Sequence, residues 1–309
     1  PEFREIRLKN PDFIKLCLNE KLSSKITLQP IKRFNFDAAI IFSDILMLPY
    51  GLGQSVEFKK NFGPLLGDLN LEKLSKVNES KFINELNPIY KTISIVKKNE
   101  ILRNKDLIGF VGAPWTLLVY MLNQKSPKRD FDISTIIKDR SLSEKLIIKI
   151  EETICLHIDK QIESGADIIQ IFDSWAGLLP KKELEKYCYT PTSKVIDHVK
   201  KSKIPVICFP KGIGKNYQDF CSRVKPDCIN IDYEIDPMWA KENFEGIPIQ
   251  GGLDPKILLK DYKTIKEEVE NYLNVFSDYP YIFNLGHGVL PETKPETMEY
   301  VINLVRKKK

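Results

Sequence analysis

The stretch Ala38-Ala39-Ile40-Ile41-Phe42-Ser43-Asp44 runs through five apolar residues and then stops in a hydroxyl and a carboxylate. A strand with one wet face alternates apolar and polar side chains, and a helix needs a longer stripe, so a short unbroken run fits a parallel strand covered on both faces. The same unit recurs downstream. Leu107-Ile108-Gly109-Phe110-Val111-Gly112 precedes Ala113-Pro114-Trp115, Ile168-Ile169-Gln170-Ile171-Phe172 precedes Asp173-Ser174, and Pro205-Val206-Ile207-Cys208-Phe209 precedes Pro210-Lys211-Gly212. Cys228-Ile229-Asn230-Ile231 ends at Asp232, Ile247-Pro248-Ile249 at Gln250-Gly251-Gly252, and Tyr281-Ile282-Phe283-Asn284-Leu285 at Gly286-His287-Gly288.

Helical patterns lie between these runs. In residues 143–164 the side chains Ile147, Ile150, Ile154, Ile158 and Ile162 fall on one face before Gly165. Sustained alternation of this kind demands a parallel sheet wrapped by helices, either open or closed. Gly51-Leu52-Gly53 lies beyond Pro49-Tyr50 and has no third glycine at dinucleotide-loop spacing, which favours closure. The expected fold is therefore α/β, a (β/α)8 TIM-type barrel occupying residues 1–309 as one domain. Seven strands are visible, so the eighth is expected among the helical patterns or upstream of Pro1. Asn10-Pro11 predicts a helix start running to about Leu22, residues 68–104 read as polar helices broken near Pro88, and 125–143 as an excursion, a lid or a loop.

Hydrophobic residues make up 42% and charged residues 29% of the 309, the balance of a packed core with a solvated surface. The net charge of +5, from 47 basic and 42 acidic residues, is spread over helix faces. The basic tail Lys307-Lys308-Lys309 and the 105–140 region carry no interleaved aromatic stripe, so nucleic acid is not an expected partner, while a polyanionic small molecule would suit the charge. Cys17, Cys155, Cys188, Cys208, Cys221 and Cys228 show no metal-ligand spacing and read as free thiols of a reducing compartment. With no run of about 18 apolar residues and no recognisable signal peptide, no membrane span is expected, and the expected location is cytoplasmic, with organelle import through a removed N-terminal peptide as the alternative.

In such barrels the carboxyl ends of the strands line the active site. The candidates are Asp44, the Ala113-Pro114-Trp115 turn with Tyr120 after it, Ser174, Lys211, Asp232, Gly251-Gly252 and His287. Asp44 sits in apolar surroundings, where a carboxylate is costly unless donors meet it; its alternatives are a turn cap and a ligand rich in N–H groups. Ser174 lacks a nucleophile elbow and would bind rather than attack. Asp173 and Asp232 read as helix caps, His157 and His198 as structural or surface residues, and Lys211 as a Schiff-base lysine or an anion holder.

Phe42-Ser43-Asp44-Ile45-Leu46, Gly109-Phe110-Val111-Gly112-Ala113-Pro114-Trp115-Thr116-Leu117 and Asn284-Leu285-Gly286-His287-Gly288-Val289-Leu290-Pro291-Glu292-Thr293 resemble the uroporphyrinogen decarboxylase family. The likeness extends to Pro1-Glu2-Phe3-Arg4-Glu5, Leu28-Gln29-Pro30, Phe172-Asp173-Ser174 and Gln250-Gly251-Gly252-Leu253-Asp254-Pro255, and so spans essentially the whole chain. It implies a distorted barrel, usually a homodimer, that removes carbon dioxide from the four acetate groups of uroporphyrinogen III to give coproporphyrinogen III in haem biosynthesis, with no cofactor and no metal. It implies that Asp44 meets the pyrrole N–H groups and stabilises the protonated intermediate, that Tyr120, Ser174 and His287 line the cleft, and that Arg7 binds substrate. An arginine-rich segment with two more substrate-binding arginines is expected immediately ahead of Pro1. The rival readings are a non-catalytic tetrapyrrole-binding protein and a zinc-dependent methyltransferase of a related barrel family, which would need His and Cys ligands at strand ends.

Overall fold

The computed structural model describes residues 1–60, 62–128 and 131–307. Its strands are β1 (Ala38–Ile40), β2 (Val56–Lys59), β3 (Gly63–Leu66), β4 (Asp106–Gly112), β5 (Ile168–Asp173), β6 (Val206–Pro210), β7 (Cys228–Ile231), β8 (Ile249–Gly251) and β9 (Tyr281–Ile282). β1 and β4 to β9 form one seven-stranded sheet, parallel throughout and in strict chain order. Each of the seven expected strands is there. β2 and β3 are an antiparallel hairpin outside that sheet.

A parallel sheet in chain order, with a helix crossing back after each strand, curls in one direction into a TIM-type barrel. The principal crossovers are the helices Glu79–Lys97, Arg140–Glu163, Thr190–Lys200, Tyr217–Val224 and Tyr262–Val275. Among the described residues β1 and β9 do not pair with one another, and they carry Ile40 and Ile282, each 45% exposed. The helix layer continues across that seam. The last helix, Pro295–Lys307, meets Glu20–Phe34, where Arg33 lies 3.8 Å from Glu296 and 3.3 Å from Glu299 and also pairs with Glu2 at 3.1 Å.

The layer between the sheet and its helices is filled by Val111, Ile169, Ile171, Ile229, Ile231 and Ile249. On the opposite face of the sheet two buried amides stay satisfied, since Gln250 Nε2 donates to Asn230 Oδ1 at 2.5 Å and Asn230 Nδ2 to the Ile231 carbonyl. Gln161 clasps β4 from the helix Arg140–Glu163, accepting from Phe110 N–H and donating to Phe110 C=O, both at 3.0 Å. Gly109 leaves room for that clasp, because a Cβ there would lie 2.5 Å from Gln161 Oε1.

Several local expectations need correction. Asn10 ends a first helix, Glu2–Lys9, and the next begins only at Phe13 behind an Asp12 cap, because Asp12 Oδ1 reaches Lys15 N–H at 3.0 Å. Pro88 does not break its segment: Glu79–Lys97 runs through it. A proline inside a helix costs about 3 kcal/mol, and burial of Phe82, Leu86, Ile89, Ile93 and Val96 on one face outweighs that. The last strand is shorter than its apolar run. Pairing lapses after Ile282 and resumes at a single bridge, Leu253 to Leu285, with Gly286 N–H donating to Leu253 C=O at 2.8 Å.

In the 125–143 segment Lys125 bridges Leu65 of β3, and the short helix Ser134–Ile137 buries Ile136. Arg129 and Asp130 of that segment, and Lys308 and Lys309 of the basic tail, lie outside the described residues. No helix among the described residues is long and apolar enough to cross a membrane.

Candidate active site

Parallel strands in one sheet put all their carboxyl ends at one mouth. Asp44 follows β1 in the turn before Leu46. The carboxylate is half-buried, and Oδ1 accepts from Leu46 N–H at 2.8 Å. Among the described residues it has no ion-pair partner, so burial pushes its carboxyl up to about 6 against the pull of that one amide.

Arg7 belongs to the same neighbourhood. Its guanidinium donates to Asn10 C=O at 2.7 Å and stands 5.2 Å over the Phe13 ring, with no carboxylate attached among the described residues. Asp44 and Arg7 act with opposite sign on the buried Cys17 thiol, which burial and the Asp44 charge hold far above the usual thiol range. Tyr120 projects from the helix Pro114–Asn123, which Pro114 opens at its first turn. Burial and the Asp44 charge raise its phenol; the hydroxyl meets Ser126 Oγ at 3.5 Å, and the ring lies edge-on to Trp175, 5.9 Å between centroids.

Ser174 is half-buried at the β5 tip, and its hydroxyl has no hydrogen-bond partner among the described residues. Its backbone is held from beneath: Thr116 Oγ1 donates to Asp173 Oδ1 at 2.6 Å and accepts from Trp175 N–H at 3.0 Å, while Trp115 Nε1 donates to Trp175 C=O at 2.9 Å. Asp173 therefore caps no helix. It is 2% exposed and pushed up to about 6 by burial, against the pull of Thr116 and the Cys188 thiol.

Asp232 is likewise no helix cap. Its carboxylate ties the β6 and β7 tips together, accepting from Gly212 N–H at 2.7 Å, Tyr217 Oη at 3.1 Å and Glu234 N–H at 3.0 Å. His287 is exposed beyond β9, and its Nδ1 accepts from Gly288 N–H at 2.6 Å. Desolvation and then the Lys211 ammonium lower its pKa, and Asp232 opposes them. Gly286 allows this approach: a Cβ there would lie 2.4 Å from Tyr233 N.

The structure thus groups Asp44, Arg7, Tyr120 and the Ser174-Trp175 step around the β1 and β5 tips, and His287 with Lys211 and Asp232 around β6, β7 and the segment after β9. The supports Thr116, Trp175 and Phe13 escaped sequence reasoning, since nothing in their spacing marks them. His157 is a core residue, its Nδ1 2.9 Å from Tyr90 Oη, and His198 pairs with Asp159 at 2.8 Å. Among the described residues no three His, Cys, Asp or Glu side chains gather as a metal site would require.

An uncompensated carboxylate and a half-buried lysine at one mouth of a parallel barrel define an α/β-barrel enzyme working at the carboxyl ends of its strands. The family model described as Uroporphyrinogen decarboxylase (URO-D) matches residues 1–308. Uroporphyrinogen decarboxylase from Rickettsia bellii is 42% identical over 313 residues, covering 99% of this chain and 90% of the relative, and that from Rickettsia felis is 40% identical over 310 residues, covering 99% and 89%. The chain belongs to the uroporphyrinogen decarboxylase family. Among solved structures, a methyltransferase from Methanosarcina mazei aligns with TM-score 0.77 at 15% identity over 94% of this chain and 86% of its own. A putative vitamin-B12 independent methionine synthase from Listeria monocytogenes aligns with TM-score 0.60 at 14% identity, over 93% and 86%. These two likenesses concern the fold alone.

Proposed function

We propose that this enzyme removes carbon dioxide from the four acetate side chains of uroporphyrinogen III, giving coproporphyrinogen III in tetrapyrrole biosynthesis. Family membership over residues 1–308 supports the reaction. The observation that carries the mechanism is Asp44: a half-buried carboxylate that meets one amide and no cation suits a ligand that brings several N–H donors and develops positive charge.

A proton added to the pyrrole α carbon next to the acetate-bearing carbon spreads positive charge over the acetate-bearing carbon and the ring nitrogen, and Asp44 stabilises that charge without solvent reorganisation. The bond from the acetate methylene to its carboxylate then breaks. Carbon dioxide leaves, the electron pair neutralises the ring, and a proton delivered to the methylene carbon as the ring carbon loses its own completes a methyl group. Net, one carboxylate and one proton become one carbon dioxide and one C–H bond. Tyr120, Ser174 and His287 line the cleft in this reading, and Arg7 supplies charge-assisted hydrogen bonds to substrate carboxylates.

We place the activity in the cytoplasm, consistent with six free cysteines. Residues 1–309 act as one domain, and the enzyme works as a homodimer; an eighth strand would fit the seam between β1 and β9. Anaerobic incubation of the full-length protein with uroporphyrinogen III, with products separated by carboxylate number, tests the function. Stepwise conversion to the four-carboxylate product is expected. Binding without turnover would overturn the reading in favour of a non-catalytic tetrapyrrole-binding protein, and sedimentation at micromolar concentration checks the dimer.

A further inference from the structure

We infer that Lys211 binds a carboxylate side chain of the substrate from the tip of β6, an inference that rests on the decarboxylase reading above. Three observations converge on it.

The first is the state of the side chain. The other lysines of intermediate burial all reach an oxygen: Lys105 the Phe36 carbonyl at 2.6 Å, Lys149 Glu152 at 3.8 Å, Lys160 Glu163 at 2.6 Å, and Lys241 the Val275 carbonyl at 2.9 Å. Lys211 reaches none among the described residues. Neither nearby carboxylate pairs with it: Asp232 is held by Gly212, Tyr217 and Glu234, and Asp173 is buried with its Oδ1 on Thr116. A partly buried lysine whose ammonium has no counter-ion is free to take up an anion.

The second is the backbone beneath it. Lys211 N–H donates to Asp173 C=O at 3.1 Å, and Lys211 C=O accepts from Gly177 N–H at 2.9 Å. Gly177 and Gly212 approach so closely that a Cβ on Gly177 would lie 2.7 Å from Gly212 O, and Gly212 holds φ of +81°. Tied to β5, to the Gly177 turn and through Gly212 to Asp232, the tip launches its cation from a fixed point, which lowers the ordering cost of binding.

The third is place. Lys211 stands at the mouth, close enough for its charge to depress the His287 imidazole.

The test uses full-length enzyme with Lys211→Met and Lys211→Arg, folding checked by circular dichroism and melting. Uroporphyrinogen III kinetics should show KM raised about tenfold in Lys211→Met, kcat within about threefold, and Lys211→Arg between it and wild type, as loss of one charge-assisted contact predicts. Uroporphyrin affinity, read by fluorescence, should fall in parallel and become less salt-sensitive. Folded Lys211→Met with KM and uroporphyrin affinity within about twofold of wild type, less than a charge-assisted contact contributes, would overturn the assignment. The two readings fail separately. Wild type that binds uroporphyrin through Lys211 but turns nothing over sinks the decarboxylase and keeps the anion contact; wild type that turns over while Lys211→Met matches it sinks Lys211 alone.

Discussion

The Asp44 carboxylate takes one hydrogen bond from the protein, from Leu46 N–H at 2.8 Å, and no ion pair among the described residues. Its folded pKa of about 6 lies above the unfolded value near 4, so the penalty for keeping it charged is complete above pH 6 and absent below about 4. Asp44→Asn should therefore stabilise the substrate-free protein at pH 7.5 by about 1–2 kcal/mol, allowing for partial exposure, with the gain vanishing at acid pH. In the same variant kcat should drop roughly 100- to 1000-fold. Denaturant titrations at pH 7.5 and 4.5 check the first statement and anaerobic turnover the second; a variant equally active, or less stable at pH 7.5, contradicts this account.

His287 and Lys211 form the second relationship. Because Lys211 lowers the imidazole pKa, Lys211→Met should move the His287 titration midpoint upward, toward its ordinary value. Side-chain NMR of the three-histidine protein can follow that resonance directly. An unchanged or lower midpoint would mean that the two charges do not meet.

The buried pair of His157 and Tyr90 predicts an acid sensitivity unrelated to catalysis. Burial pushes His157 down to about 4, below the unfolded value near 6.5. Its contribution to stability is complete above pH 6.5 and drains away as pH falls toward 4, by up to about 3 kcal/mol. Asp44 and Asp173, both raised to about 6, act in the opposite sense over an overlapping window, so the whole-protein profile alone will not isolate it. The stability gap between wild type and His157→Gln should narrow on acidification from pH 7 to 4, whereas a constant gap refutes the assignment.

Gly286 lies against the backbone of the β7 tip. An added Cβ would sit 2.4 Å from Tyr233 N and 2.8 Å from Asp232 C, and backbone cannot swing aside as a side-chain end can. Gly286→Ala should cost about 1–3 kcal/mol of stability and displace His287, lowering activity more than a clean His287→Ala change does. Thermal melts and turnover of the two variants, side by side, decide it.

The removal of Thr116 tests the support beneath Ser174. Thr116→Val deletes the buried donor to Asp173 and the part-buried acceptor of Trp175 N–H, at a cost of about 1–3 kcal/mol. Substrate binding should weaken with it, because Ser174 and Lys211 share that backbone. A variant as stable as wild type would show that the network carries no energy.

What could be read in the chain before any coordinates was periodicity and punctuation. Each of the seven parallel strands announced itself as a short apolar run closed by polar or glycine residues, since a strand buried on both faces admits little else, and chain-order alternation left the barrel as the economical closure. That Asp44, Ser174 and His287 stand just beyond strands was legible for the same reason, since parallel strands in one sheet bring their carboxyl ends to one mouth. Local rules failed where long-range burial outweighed them. Pro88 sits inside a helix because that helix buries a full apolar face, and Asn10 yields its capping role to Asp12 two residues on. Tertiary structure alone decided which donors each carboxylate meets. Asp173 and Asp232 are equivalent strand-end aspartates in sequence, yet one lies buried on Thr116 and the other binds two strand tips together, while Asp44 is left to a single amide. Those differences arise from groups distant along the chain and adjacent in space, a proximity that no local pattern encodes.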